Sequence, residues 1–97
     1  MAGFVTPILG EGGHIAVQTD ASGTGFAAFS AQQARQLTIV NDTGVGLEVR
    51  QGVETVYLPV PAGAIYTFYG IDRASRLSVR RTDLGTSQLT VKARWEL

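Results

Sequence analysis

From residue 36 to the C-terminus the chain alternates apolar and polar positions. Leu37 and Ile39 share one side of Gln36–Asn41, Leu47 and Val49 one side of Leu47–Gln51, and Leu77 and Val79 one side of Arg76–Arg81. The longest clean alternation is Gln88–Leu97, where Leu89, Val91, Ala93 and Trp95 oppose Thr90, Lys92, Arg94 and Glu96. A period of two marks strands buried on one face. Thr55–Val60 and Ala64–Tyr69 read as two further strands. Upstream, His14–Thr19 is a short strand with Ile15 and Val17 together, and residues 25–29 are another, followed by a turn or one helical turn before Arg35.

The breaks between these runs carry turn chemistry. Asp20-Ala-Ser-Gly-Thr-Gly25 is rich in residues that accept positive φ or bond their own backbone. Asn41-Asp-Thr-Gly-Val-Gly46 predicts a hairpin loop joining the strands on either side of it. The last two strands are likewise expected to pair as a hairpin. Leu58-Pro-Val-Pro-Ala-Gly63 is a strand running into a corner. Val60–Gly63 fits a type I turn, with Pro61 second and Gly63 fourth. Proline lacks a ladder donor, so Pro59 and Pro61 mark an edge or a departure from the sheet. The corner is predicted to carry the chain from one sheet to the other.

About eight short strands separated by Gly-rich turns, with no apolar stripe at helical spacing, predict an all-β fold. The expectation is a single antiparallel β-sandwich, jelly-roll-like or Ig-like, or a small β-barrel. Residues 14–97 form that one domain. Residues 1–13, with Pro7 and four glycines, read as an extended N-terminal arm. Its apolar members Phe4, Val5, Ile8 and Leu9 fit either a loose chain end or an arm that docks on a neighbouring subunit.

Composition narrows the function classes. The 97 residues carry a formal net charge of zero, whereas general nucleic-acid binders need an excess of Lys and Arg to displace counterions. No nucleic-acid partner is expected. All eight basic residues lie from Arg35 onward and seven are Arg, the side chain suited to bidentate and interface pairing. There is no Cys, hence no disulfide framework or thiolate metal site, which favours intracellular synthesis. Met1–Leu9 lacks the basic start and long apolar core of a signal peptide. No apolar run approaches the roughly 20 residues that cross a bilayer, so no membrane role is expected.

Little in the chain points to catalysis. His14 is the only histidine, with no His, Cys or carboxylate cluster beside it in sequence to form a metal set. Gly23-Thr-Gly25-Phe-Ala-Ala28 matches the spelling of a dinucleotide-binding fingerprint. That motif requires a helix whose N-terminus holds the pyrophosphate, and residues 26–35 offer little room for one. The carboxylates Glu48, Glu54, Asp72 and Asp83 are scattered. No catalytic residue, cofactor or metal is assigned, and an enzyme is not expected. Arg76, Arg80 and Arg94 fall on polar faces of the last two strands and with Lys92 would form a basic patch. That patch is either a solvated face with cross-strand partners such as Glu96 or a protein contact. Tyr57, Tyr66, Tyr69 and Trp95 divide between core and outward anchors.

The segments Leu37-Thr-Ile-Val-Asn-Asp-Thr-Gly, Leu58-Pro-Val-Pro-Ala-Gly and Leu77-Ser-Val-Arg-Arg-Thr-Asp resemble the small β-sandwich head-decoration, or cement, proteins of tailed bacteriophages. The resemblance spans about residues 35–97. It implies a non-enzymatic virion protein, made in the bacterial cytoplasm and placed on the capsid exterior. Its partner would be the major capsid protein, and it would form a homo-oligomer, a trimer being favoured. The contact residues it suggests are Phe4, Ile8, Leu9, Pro59, Pro61, Tyr66, Tyr69, Arg76, Arg80 and Arg94. The alternative is a carbohydrate- or receptor-binding β-sandwich of a phage tail or fibre, with Tyr66, Tyr69 or Trp95 as stacking surface.

Overall fold

The computed structural model describes residues 11–97. It holds eight strands: β1 (Gly12–Gln18), β2 (Ala27–Ala28), β3 (Gln36–Val40), β4 (Leu47–Gln51), β5 (Leu58–Val60), β6 (Ile65–Tyr69), β7 (Leu77–Arg81) and β8 (Thr90–Glu96), with one 3-10 turn at Ala74–Arg76. Two antiparallel sheets result, ordered β1-β8-β3-β6 and β2-β7-β4-β5. The first half of the chain pairs with the second half in reverse, β1 with β8, β2 with β7, β3 with β6 and β4 with β5. One long antiparallel ladder has thus rolled up on itself, and β3–β8 and β4–β7 contacts close the two sheets. This is the jelly-roll form of the β-sandwich. The domain takes in Gly12 and Gly13, which open β1 opposite Glu96 and Trp95. The proposed arm contacts Phe4, Ile8 and Leu9 lie outside the described residues.

The inward faces are those set by the period-two pattern. Leu37 and Ile39 of β3, Leu47 and Val49 of β4, Leu77 and Val79 of β7, and Val91 and Ala93 of β8 meet between the sheets, all buried. Val60, Phe29 and Ile71 complete the core, and Ile15, Val17, Phe68 and Trp95 pack on its rim. Each fully buried Leu, Ile or Val contributes roughly 1.5–3 kcal/mol.

The expected pairings are overturned at two places. Asn41–Gly46 is not a hairpin loop, because β3 and β4 lie in different sheets. The loop crosses the sandwich, and Asn41 is its pivot. This buried side chain donates from Nδ2 to the carbonyls of Val45 (2.8 Å) and Val60 (2.7 Å), while its Oδ1 accepts from the backbone and hydroxyl of Thr43. Nor do β7 and β8 form a hairpin: one lies in each sheet. Among consecutive strands only β4 and β5 pair directly.

The Pro corner does cross between sheets, from β5 at the edge of one to β6 at the edge of the other. Its turn sits one residue later than expected. Ala64 N–H donates to Pro61 C=O (2.9 Å), and Gly63, at φ 84°, is the third residue. Positive φ at that position belongs to a type II turn. Val60 C=O is left free to accept from Asn41 instead.

Candidate protein-contact surfaces

Separating β7 from β8 disperses the anticipated basic patch. Arg94 lies on the outer face of the β1-β8-β3-β6 sheet, bonded to Glu96 two residues along the same strand (3.0 Å), with Nη1 3.3 Å from His14 Nε2. Arg80 lies on the outer face of the opposite sheet. Arg76 belongs to the 3-10 turn rather than to a strand, and holds Asp72 through two bonds of 2.8 and 3.2 Å. Arg76 first, then Arg73, pulls the Asp72 carboxyl well below the usual carboxylate range. Lys92 is bonded to Asp42 (2.9 Å), which lowers that carboxyl too. These cations are thus engaged within the chain; Lys92 and Arg94 share the outer face of β8, while Arg80 and Arg76 lie elsewhere.

Arg80 anchors a cluster that alternation alone did not reveal. β4 and β7 pair so that Glu48 faces Arg80, and the two form an ion pair at 2.9 Å. The Arg80 and Arg50 guanidinium groups rest on the Phe26 ring, 4.5 and 4.4 Å from its centroid. Tyr57 tilts against Phe26 at 4.9 Å. The Nε atoms of Arg50 and Arg80 are buried without a hydrogen-bond partner, and the aromatic face compensates them. Arg80 also donates to Thr24 C=O (3.1 Å), binding the Asp20–Gly25 loop to the sheet. Gly23 and Gly25 serve that loop. A two-residue strand follows instead of a helix, so the fingerprint spelling has no nucleotide-binding structure behind it.

The aromatic candidates do not converge. Tyr66 pairs with Ile39 and so points to the inner side at the sandwich rim, where its ring meets Phe68 at 5.8 Å. Tyr69 pairs with Gln36 and stands on the outer face, 70% exposed. Trp95 is half-buried over Gly13. A sugar platform needs aromatic faces presented together, and these three are not.

Exposed apolar residues instead gather along one side of the sandwich. β5 and β6 are the adjoining edge strands of the two sheets, linked by the Pro61–Ala64 turn. Val56 (74% exposed), Leu58, Ile65 (65%), Tyr66 and Tyr69 are all solvent-facing here. Val56, Leu58 and Phe68 line a small groove between the sheets. Pro59 and Pro61 border this side, both exposed. A broader open hollow of about 690 Å³ lies on the outer face of the β1-β8-β3-β6 sheet, between His14, Val40, Ile65 and the paired Lys92 and Arg94. Among the described residues no three His, Cys, Asp or Glu side chains gather as a metal set. No protein-family model, curated protein or solved structure matches the chain.

Proposed function

We propose that the chain is a non-enzymatic structural protein of a phage virion, a decoration protein that binds the capsid surface and stabilises the head. The observation that carries the reading is the apolar β5–β6 side. Contiguous exposed apolar surface rimmed by polar residues is the mark of a protein contact. Two facts support it. The strongest polar contacts are internal ion pairs, which suits a building block rather than a reactive site. The jelly roll recurs in viral capsid and lectin domains, so the fold is compatible with the resemblance but does not by itself give a function. The aromatic arrangement offers no comparable argument for a sugar-binding fibre module.

Co-sedimentation with expanded heads of the phage that encodes the chain tests the reading. Retention of the protein in the head fraction is the expected outcome. Protein left in the supernatant, together with binding on a glycan array that is lost in Tyr69→Ala, would overturn it in favour of the fibre module.

A further inference from the structure

Edge strands are usually blunted by shortness, charge, proline or a bulge. Two of the four edges here are explained. β2 has two residues; β5 has three and contains Pro59. β1 is seven residues long and opens on Gly12 and Gly13, which weaken it as a pairing edge. β6, Ile65-Tyr-Thr-Phe-Tyr69, has none of these devices. It is uncharged, lacks proline and glycine, and consists wholly of strongly strand-forming residues. Among the described residues nothing pairs with its outer edge.

The register with β3 says which groups that edge presents. Asn41 N–H donates to Ala64 C=O, which makes this the first hydrogen-bonded pair of the β3–β6 ladder. Alternation then makes Ile39–Tyr66 and Leu37–Phe68 hydrogen-bonded pairs. Val40–Ile65, Thr38–Thr67 and Gln36–Tyr69 are the close, non-bonded kind. The 2.9 Å contact between the Thr38 and Thr67 hydroxyls fits that closeness. The N–H and C=O groups of Ile65, Thr67 and Tyr69 therefore point away from β3.

We propose that the partner at this edge is β6 of a second copy, joined antiparallel about a two-fold axis through Thr67. The inference rests on the reading of the β5–β6 side as a protein contact and assigns that contact to a second copy, so that the capsid would be met by other faces of the dimer. Self-pairing uses the three outward-facing residues in about six main-chain bonds, and every side-chain pair it creates is favourable. Ile65 meets Tyr69 of the other copy on the outer face, Tyr66 meets Phe68 on the inner face, and Thr67 meets its own mate. Aromatic with β-branched, aromatic with aromatic and Thr with Thr are the stabilising cross-strand pairs. No charge lies on the strand to repel its symmetry mate. The same axis brings the two β5 edges toward each other, covering Leu58 and Val56. A like pairing of β1 about Ile15 would set Gly13 against Val17 and Gly12 against Gln18, and has no such complementarity. The contact is isologous and closes as a dimer, in place of the trimer that the family resemblance favours. The result is one continuous eight-stranded sheet with β1 at both far edges. The two β1 strands then begin at opposite corners, roughly 34 Å apart by strand spacing.

The test is the mass of the full chain by sedimentation equilibrium, for the natural protein and for Thr67→Lys, Tyr69→Lys and Ala16→Lys. Two chains per particle are expected. Thr67→Lys places like charges directly opposite and should weaken dimerisation by at least about tenfold. Tyr69→Lys, at a fully surface-facing position, should weaken it without a change in thermal melting of the monomer. Ala16→Lys on the opposite edge should leave it intact. A monomer, a trimer, or a dimer indifferent to Tyr69→Lys overturns the proposal, the first meaning that capsid protein or residues 1–10 take the edge. Head binding is read separately: a dimer that ignores heads sinks the decoration reading alone, and a head-binding monomer sinks the dimer alone.

Discussion

Asn41 donates to the carbonyl of Val60 at 2.7 Å, and this bond ties the two sheet crossings of the jelly roll to each other. One crossing leaves β3 through Asn41 itself. The other leaves β5 at Val60. Backbone bonds from Asn41 N–H to Ala64 C=O and from Gly63 N–H to Asn41 C=O complete the joint. Asn41→Ala strands the buried Val60 carbonyl and the half-buried Thr43 N–H, and leaves the Val45 carbonyl with the Thr43 hydroxyl alone. The expected loss is about 2–4 kcal/mol, read as a lower urea midpoint at unchanged slope. Asn41→Asp should be worse at neutral pH, because a charged oxygen would face two carbonyls. Its stability should partly recover as pH falls and the introduced carboxyl is protonated.

Two glycines at positive φ separate backbone strain from collision. Gly63 (φ 84°) has open space where a Cβ would go, so Gly63→Ala should cost only the left-handed penalty of about 1–2 kcal/mol. Gly23 (φ 79°) would drive its Cβ into the Leu84 carbonyl. Gly23→Ala should lower the melting temperature clearly further than Gly63→Ala; equal effects would show that the Gly23 and Leu84 loops are not packed together.

The Arg80–Phe26 stack predicts a distinction between cations. Arg80→Lys keeps the charge but loses the planar group over the ring and the geometry that reaches both Glu48 and Thr24. A loss of about 1–2 kcal/mol is expected. Limited proteolysis should show faster cleavage within the Asp20–Gly25 loop, since Arg80 is what binds Thr24 to the sheet.

Acid stability should depend on exposed aspartates. Arg76, then Arg73, lowers Asp72; Lys92 lowers Asp42; Arg81, then the Gly85 N–H, lowers Asp83. A carboxyl depressed by folding adds stability that is fully present above its unfolded value near 3.8 and lost as pH falls through the lower folded value. Denaturation midpoints should therefore drop below about pH 4, the drop being smaller in Asp72→Asn and in high salt, which screens exposed pairs.

The sequence made burial legible but not adjacency. Period two put Leu37, Ile39, Leu47, Val49, Leu77 and Val79 inward, and all six are buried. The missing ladder donor marked Pro59 as an edge or a departure from the sheet, and β5 is an edge strand. Alternation cannot say which strand lies alongside, because a hairpin loop and a sheet crossing use the same Asn and Gly chemistry. Asn41–Gly46 reads as a hairpin loop for that reason although it is a crossing, and what distinguishes the crossing is where the Asn41 side chain bonds. The misassigned β7–β8 hairpin had a direct cost, merging Arg80 and Arg94 into one patch when they occupy opposite outer faces. The same gap hid the Phe26 cluster. Arg50 and Arg80 are outward by parity, but only the β4–β7 pairing brings both onto one ring.

The proposal that the chain decorates a phage capsid is tested most directly by quantitative mass spectrometry of virions purified from the source that encodes it. A decoration protein is expected at a copy number comparable to that of the major capsid protein. Absence from the particle, or a handful of copies confined to neck or tail, would contradict the account.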